Sequence, residues 1–351
     1  MALALVCPID RSPLHAEGEA LRCPHGHSFP VVDGIPVLLR DDVAQTIGIA
    51  HASRAAADQR PARHSSLYLE TLGISESEKK MAVALAEATS AIDPVASVLI
   101  GATNGLAYKH LIGRLATVPI PELRLPDGHG ESLLDIGCSW GRWSIAAARK
   151  GYRVTALDPS LGALAAARRI ARSMNLQIDF VCGDARFLPF ADASFDKVFS
   201  YSVLQHFSRE DACAALAETS RALAPGGVAL IQMPNARGLR SLVQLARRGF
   251  AEGSGFEVRY WRVDELLRTF SATIGPTRAS VHCFFGLGLE ASDARLMTPP
   301  LRLLLRASDM MRRMASHVPP LLHVADSLYL ESTKPQERRA ARAASEDACA
   351  R

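Results

Sequence analysis

From residue 132 to residue 233 short apolar runs alternate with helix-length amphipathic stretches, and no other feature of the chain restricts its fold as much. Strands are expected at 132–137, 153–158, 178–183, 196–202 and 227–233, and helices at 141–150, 161–173 and 209–223. Strands joined through helices at this spacing lie parallel in one sheet, and right-handed crossovers put helices on both faces. Two later strands fit 278–285 and 327–332. The expectation is an α/β, doubly wound sheet of seven strands.

The first strand runs into "LLDIGCSWGRW", residues 133–143. Asp135 lies near its end, Gly137 and Gly141 bracket a turn, and a helix opens at the second glycine. Glycine lets a ligand approach the backbone closely, and a helix N-terminus offers unpaired N–H groups. The spacing G-x-x-x-G has Ser139 where a dinucleotide fingerprint has glycine, so the turn fits a pyrophosphate poorly. No Lys-Ser or Lys-Thr pair follows, which excludes a Walker A loop. Asp158 ends the second strand, 21 residues beyond Gly137, where an acidic residue accepts from both hydroxyls of a ribose. Asp184 lies just past the third strand with Ala185 behind it. A carboxylate there accepts from an adenine amino group while the adjacent N–H donates to a ring nitrogen.

Taken in order, "DIGCSWG", Asp158, "VCGDA", "SFDKVFS" and "RALAPGGVALIQMPN" resemble class I S-adenosylmethionine-dependent methyltransferases over residues 133–235. The departure from that family's D-x-G-x-G-x-G is Ser139. The resemblance implies a Rossmann-like methyltransferase sheet with S-adenosyl-L-methionine as cofactor. Gly137, Ser139 and Gly141 would line its methionine part, and Asp135 would anchor the turn and the amino group. Asp158 would bind ribose, Asp184 and Ala185 adenine, and Ser200 would close the site. Such a cofactor carries the activated methyl group, and the protein supplies position. A base is needed only when the nucleophile must lose a proton. His206, in "SYSVLQHF" beyond the fourth strand, is the candidate catalytic base; the alternative is that it packs beside a helix start. Tyr201 and Gln205 are secondary pocket candidates, and Trp140 and Trp143 are expected to pack between helix and cap.

Residues 1–40 are dense in Cys, His, Pro and Gly, with β-like runs at 20–22, 28–32 and 35–39. A module this short does not bury a core without a staple. Cys7-x-x-Asp10 and Cys23-x-x-x-His27 supply two pairs of ligand types at zinc-ribbon spacing. The module resembles the zinc-ribbon-like domain fused before certain 23S ribosomal RNA guanine methyltransferases, and the small activator subunit of tRNA and protein methyltransferases. It departs from them at Asp10, where a fourth Cys belongs. A zinc site of Cys7, Asp10, Cys23 and His27 and a metal-free lid both remain open; His25 sits at an awkward spacing for a ligand.

Residues 41–125 read as a helical cap and linker, helical over 77–89 and broken at 97–105. Residues 126–334 read as the methyltransferase domain, with an insertion at 286–323 that holds an amphipathic helix after Pro300. A charged, disordered tail is expected at 335–351. The preferred reading of the inserted helix places it over the active site; the other lays it on lipid headgroups as a peripheral membrane contact. A net charge of +4 over 351 residues argues against a strongly basic nucleic-acid binder. Short apolar runs exclude a signal peptide and a transmembrane helix, and Cys138, Cys182 and Cys283 read as buried thiols, so the cytoplasm is the expected location. The preferred function is methylation of a small-molecule or glycan-precursor acceptor on oxygen. RNA base methylation and a silent cofactor-binding partner are the alternatives.

Overall fold

The structure, a computed structural model of the protein, describes residues 4–44, 48–59, 67–103, 106–286 and 288–336. The front of the chain folds as β1 (His15–Glu17), β2 (Ala20–Arg22), β3 (Ser28–Val32) and β4 (Ile35–Leu38), and the cap as α1 (Ile49–Asp58), α2 (Glu76–Glu87) and α3 (Pro94–Thr103). Then come β5 (Ser132–Ile136), α4 (Arg142–Arg149), β6 (Arg153–Asp158), α5 (Leu161–Ser173), β7 (Ile178–Gly183), β8 (Phe195–Ser200), α6 (Arg209–Ala222) and β9 (Leu223–Pro234). Helices α7 (Leu239–Arg247) and α8 (Val263–Thr273), strand β10 (Thr277–Cys283), helix α9 (Pro299–Ala315) and strand β11 (Ser327–Thr333) complete the described chain.

The sheet order is β1-β2-β3-β4-β7-β6-β5-β8-β9-β11-β10. From β4 to β9 neighbours run parallel, and β11 is antiparallel between β9 and β10. Strand order reverses at β5, which lies between β6 and β8; in open α/β sheets that reversal opens the ligand crevice. Seven strands are expected from the sequence, and the sheet has eleven among the described residues. The four extra strands come from the front module, whose β4 lies parallel beside β7 with Val37 opposite Cys182 and Leu38 opposite Gly183. The physical reason is core size: Cys7, Cys23, Phe29 and Leu38 share one apolar cluster with Leu134, Val181 and Phe190 instead of forming their own.

Helix α5 shows why the central units form. Ser160 caps it by accepting from the Ala163 N–H at 3.2 Å, and Leu161, Leu164, Ala167, Ile170 and Ala171 bury its inner face. Each buried leucine contributes about 2 kcal/mol. Helix α3 corrects the reading of 97–105 as a break. Gly101 lies inside the helix because Ile112 packs on it, 2.4 Å from where a Cβ would stand. On helix α9, Ser308 binds the Phe284 backbone beside β10, and Leu305 joins the cluster that holds Trp140 of the turn and Tyr108 of the cap. Leu303, Met310 and Met314 stay exposed. Among the described residues no helix is long and apolar enough to cross a membrane. The expected tail lies, from residue 337 on, outside the described residues.

Candidate functional site

At the end of β5 the backbone turns through left-handed conformations at Gly137 (φ 74°), Ser139 (φ 48°) and Gly141 (φ 84°). Gly137 has no room for a side chain, since a Cβ would lie 2.1 Å from Val203. Ser139 adopts a conformation that disfavours an ordinary residue by about 1 kcal/mol. Its N–H donates to Asp158 Oδ2 at 2.8 Å, which holds it there. The second Asp158 oxygen accepts from the Ser160 N–H at 2.9 Å. Asp135 accepts from Ser144 Oγ at 2.5 Å, and Ser200 Oγ donates to the Ile136 carbonyl at 3.0 Å. Among the described residues neither Asp135 nor Asp158 has an ion-pair partner. Burial raises Asp135 to about 7, with the Asp158 charge adding to the shift. Burial alone, against two backbone N–H bonds, raises Asp158 to about 6.

The structure brings Asp135, Gly137, Ser139, Gly141, Asp158 and Ser200 to one edge of the sheet and gives two other residues unexpected partners. The buried Asp184 carboxylate accepts from Arg186 Nη2 at 2.7 Å and from the Arg186 backbone N–H at 2.9 Å. Arg186 also reaches Asp211 and the Ala44 carbonyl, each at 3.0 Å. Arg186 therefore engages the carboxylate read as the adenine contact, with buried Ala185 beside it. His206 Nδ1 lies 2.7 Å from the Phe256 carbonyl, so it must donate. Nε2 then accepts from the Gln205 amide at 3.2 Å. Burial lowers the ring to about 4, and it stacks on Phe256 at 3.9 Å. His206, the candidate base, thus has both ring nitrogens within hydrogen-bond distance of protein groups. Above α5, Ser53 and Thr71 of the cap accept from the Leu161 and Gly162 N–H groups at 3.1 and 2.8 Å.

Beside the turn lies a buried polar cluster that the sequence reading missed. Arg142, next to Gly141, donates to Asp293 at 2.9 Å, and Tyr108 donates to the same oxygen. His282 Nε2 lies 2.8 Å from Glu290 Oε1, and Nδ1 lies 3.0 Å from Ser327 Oγ. A hydrogen-bond chain links it to the loop after β8: Gln232 Nε2 donates to Ser327 Oγ at 2.5 Å and its oxygen accepts from the Ser202 N–H at 2.8 Å. Burial opposes the His282 charge, yet Cys283 and Glu290 raise it to about 9. The rings of Trp143, Tyr201 and Tyr329 line the cluster, with Trp143 to Tyr201 at 4.8 Å and His282 to Tyr329 at 5.0 Å. Trp143 Nε1, Tyr329 Oη and Arg142 Nε have no hydrogen-bond partner among the described residues. No short motif could have flagged this set, because its partners lie as far apart as Tyr108 and Asp293.

In the front module Cys7, Asp10, Cys23 and His27 place one ligand atom each within 4.8 Å of one another. Cys23 Sγ lies 3.3 Å and Cys7 Sγ 3.5 Å from His27 Nδ1. Asp10 Oδ2 lies 3.5 Å from Cys23 Sγ and 3.0 Å from His27 Nδ1. His25 Nδ1 stands 3.0 Å from the same Asp10 oxygen on the exposed side.

Residues 133–227 match a family model described as a methyltransferase domain. The chain is similar to a malonyl-[acyl-carrier protein] O-methyltransferase of Serratia marcescens, 41% identical over 113 residues that cover 32% of this chain and 42% of that protein. It is also similar to the biotin biosynthesis bifunctional protein BioHC of Cellvibrio japonicus, 32% identical over 201 residues, or 57% of this chain and 36% of that protein. Among solved structures, the complex of the Haloferax volcanii Trm112 methyltransferase activator with a putative methyltransferase aligns at TM-score 0.43 and 19% identity, covering 62% of this chain and 87% of that one. The chain thus spans less than half the length of the curated relatives it matches.

Proposed function

We propose that this protein transfers a methyl group from S-adenosylmethionine to an oxygen of a small-molecule or glycan-precursor acceptor. The observation that carries the reading is the pair of buried carboxylates, Asp135 and Asp158, beside a left-handed turn at the point where strand order reverses. Two such groups without a cation form a site electrostatically suited to a ligand that brings ammonium and sulfonium charge and a ribose diol. Asp135 would face the amino group, Asp158 the ribose hydroxyls, and the turn 137–141 the methionine chain. The Ala185 N–H would meet the adenine ring, with Asp184 held in place by Arg186. When bound, the cofactor supplies a methyl group already activated on sulfur. The similarity to proteins named as O-methyltransferases supports oxygen as the acceptor atom and a small molecule as its bearer. His206 positions the loop at Phe256 in this reading and takes no proton.

Calorimetric titration with S-adenosylmethionine tests the core of the proposal. Asp158→Ala removes a charged hydrogen-bond acceptor and is expected to weaken binding by about a hundredfold. Unchanged affinity would take Asp158 out of the ribose role.

We further propose that the front module binds a structural zinc ion through Cys7, Asp10, Cys23 and His27. Around tetrahedral zinc, with bonds of about 2.0–2.3 Å, neighbouring ligand atoms stand about 3.3–3.8 Å apart. Most spacings in the cluster approach that range, which supports the reading. Elemental analysis is expected to find one zinc per chain that Cys23→Ser loses, with a lower melting temperature; metal-free protein of full stability would remove the ion.

A further inference from the structure

We propose that α7 and α9 form a docking surface for a bilayer that contains anionic lipids. The inference goes beyond the methyltransferase reading and stands independently of it.

The first observation is that α7 is turned inside out. An ordinary surface helix points its apolar stripe at the core. On α7 the residues Leu239, Leu242, Val243 and Ala246 recur at helical spacing, with Phe250 one turn on, and all are exposed. The four large ones are between 43% and 69% exposed. The polar residues face inward instead. The Arg240 and Ser241 N–H groups donate to Asp326 Oδ1 at 2.7 and 3.0 Å. The Arg240 guanidinium reaches the Phe285 carbonyl at 3.5 Å, and that of Arg248 the Val258 carbonyl at 3.0 Å. Polar contacts thus hold the helix in place, and its apolar stripe is left for an outside partner.

The second observation is place. Strands β9 and β10 each pair antiparallel with β11, so they point the same way, and α7 and α9 follow their carboxyl ends. Arg240 of α7 binds the Phe285 backbone, and Ser308 of α9 the Phe284 backbone. Both helices are therefore fastened at one corner of the sheet. On α9 Leu303, Met310 and Met314 are exposed, interleaved with exposed Arg306 and Arg313. Of the thirteen exposed large apolar side chains among the described residues, ten lie between 239 and 324, so the apolar exposure is concentrated in this part of the chain.

The third observation is charge, which names the partner. Residues 237–251 hold four arginines and no acid, and residues 299–318 hold four arginines and one acid. These two segments carry +7 in a chain whose net charge is +4, which leaves −3 for everything else. Arg237, Arg247, Arg302 and Arg306 are exposed and have no ion-pair partner among the described residues. Apolar side chains that enter the acyl boundary, flanked by cations that meet phosphate headgroups, are what an interfacial helix requires. A groove of about 440 Å³ along α9, lined by Arg306, Asp309, Met310 and Arg313 among others, offers room for such a headgroup. A second copy fits less well, because a two-fold contact would set these arginines against each other. Nucleic acid fits less well too, since leucine and valine offer no ring for a base to stack on.

Sedimentation of the full chain with lipid vesicles tests the proposal. Vesicles of phosphatidylcholine with about one-third phosphatidylglycerol are expected to bind it, and pure phosphatidylcholine about tenfold more weakly. Added salt is expected to weaken the binding. Leu242→Glu puts a charge into the stripe and is expected to weaken binding about tenfold. Arg247→Gln removes one exposed cation and is expected to weaken it about fivefold. Met81→Glu alters an exposed apolar residue on α2 and is expected to change nothing. All three positions are exposed, so the melting temperatures should match that of the parent. No sedimentation with the anionic vesicles, equal sedimentation with both compositions, or an equal loss in Met81→Glu would overturn the proposal. A dimer in light scattering that Leu242→Glu splits would assign the face to a second copy. RNA binding that Arg247→Gln weakens, with no binding to vesicles, would assign it to nucleic acid.

Discussion

Asp135 and Asp158 beside the turn are as deeply buried as Glu290 and Asp293 in the insertion, with exposures of 1%, 8%, 4% and 2%. Only the second pair has cations. His282 holds Glu290 and Arg142 holds Asp293, whereas the turn gives its carboxylates neutral donors alone, from Ser144, Ser139 and Ser160. A buried charge without a counter-charge shifts its pKa until the neutral form competes, and Asp135 and Asp158 do so. The insertion is fastened by charges that are complete in the protein itself. The turn is left incomplete, in a form that a cationic ligand would complete.

The sharpest test makes the same chemical change in both regions. Glu290→Gln leaves the His282 imidazolium buried without a counter-charge, and removing one partner of a buried pair destabilises by about 3–5 kcal/mol. Asp135→Asn removes an unpaired charge and keeps an acceptor for the Ser144 hydroxyl, so folded stability is expected to hold or rise. Denaturant titration of both variants reads the difference. Equal losses would mean that the two regions manage charge alike.

Stability against pH separates the regions without mutation, by a smaller margin. The folded pKa of His282 is raised from 6.5 to about 9 by Cys283 on its own strand and by Glu290 from the insertion. Tyr201, Tyr329 and Arg124 are the other titratable or charged groups against it. A raised imidazole contributes stability that is complete below the unfolded value and fades as pH climbs through about 9. At the turn the raised carboxylates bind protons more tightly folded than unfolded. Their contribution therefore falls as pH rises from 3.8 through about 7 and is level above. Glu290→Gln is expected to reduce the alkaline slope and Asp135→Asn the acidic one. An alkaline slope unchanged by Glu290→Gln would assign it to another group.

The two regions also differ in how far the sequence revealed them. The turn was legible because its parts are local: Gly137, Ser139 and Gly141 are closely spaced along one strand-to-helix connection, and Asp158 ends the next strand. Helix α5 is legible at 161–173, where Leu161, Leu164 and Ile170 stand at helical spacing with Ser160 before them. Helix α3 was misread because Gly101 resembles a breaker, and only the structure shows Ile112 filling the space above it. The partners of Asp184 and His206 went unseen for a related reason. Arg186 and Gln205 are near neighbours in sequence, yet no pattern states which way their side chains turn. The His282 cluster was out of reach altogether. It joins the cap, α4, three strands and the insertion, and periodicity carries no information about pairs so distant.

The smallest expected effect bears most directly on the turn. If Asp135 and Asp158 lack a cation until the cofactor arrives, its ammonium and hydroxyl donors must favour their ionised forms, and binding must release protons. At about pH 6.5 both groups are partly protonated in the free protein, so the release is expected to reach roughly one proton per cofactor. Calorimetry in two buffers of different ionisation enthalpy measures it, because the buffer takes up what the protein gives off. The observed enthalpies should differ at that pH and converge well above pH 7, where both carboxylates are already ionised. Asp135→Asn should remove the larger share, since Asp135 has the higher pKa of the two. Identical enthalpies in both buffers would mean that the carboxylates are charged before the ligand comes, and the contrast with the insertion would lose its basis.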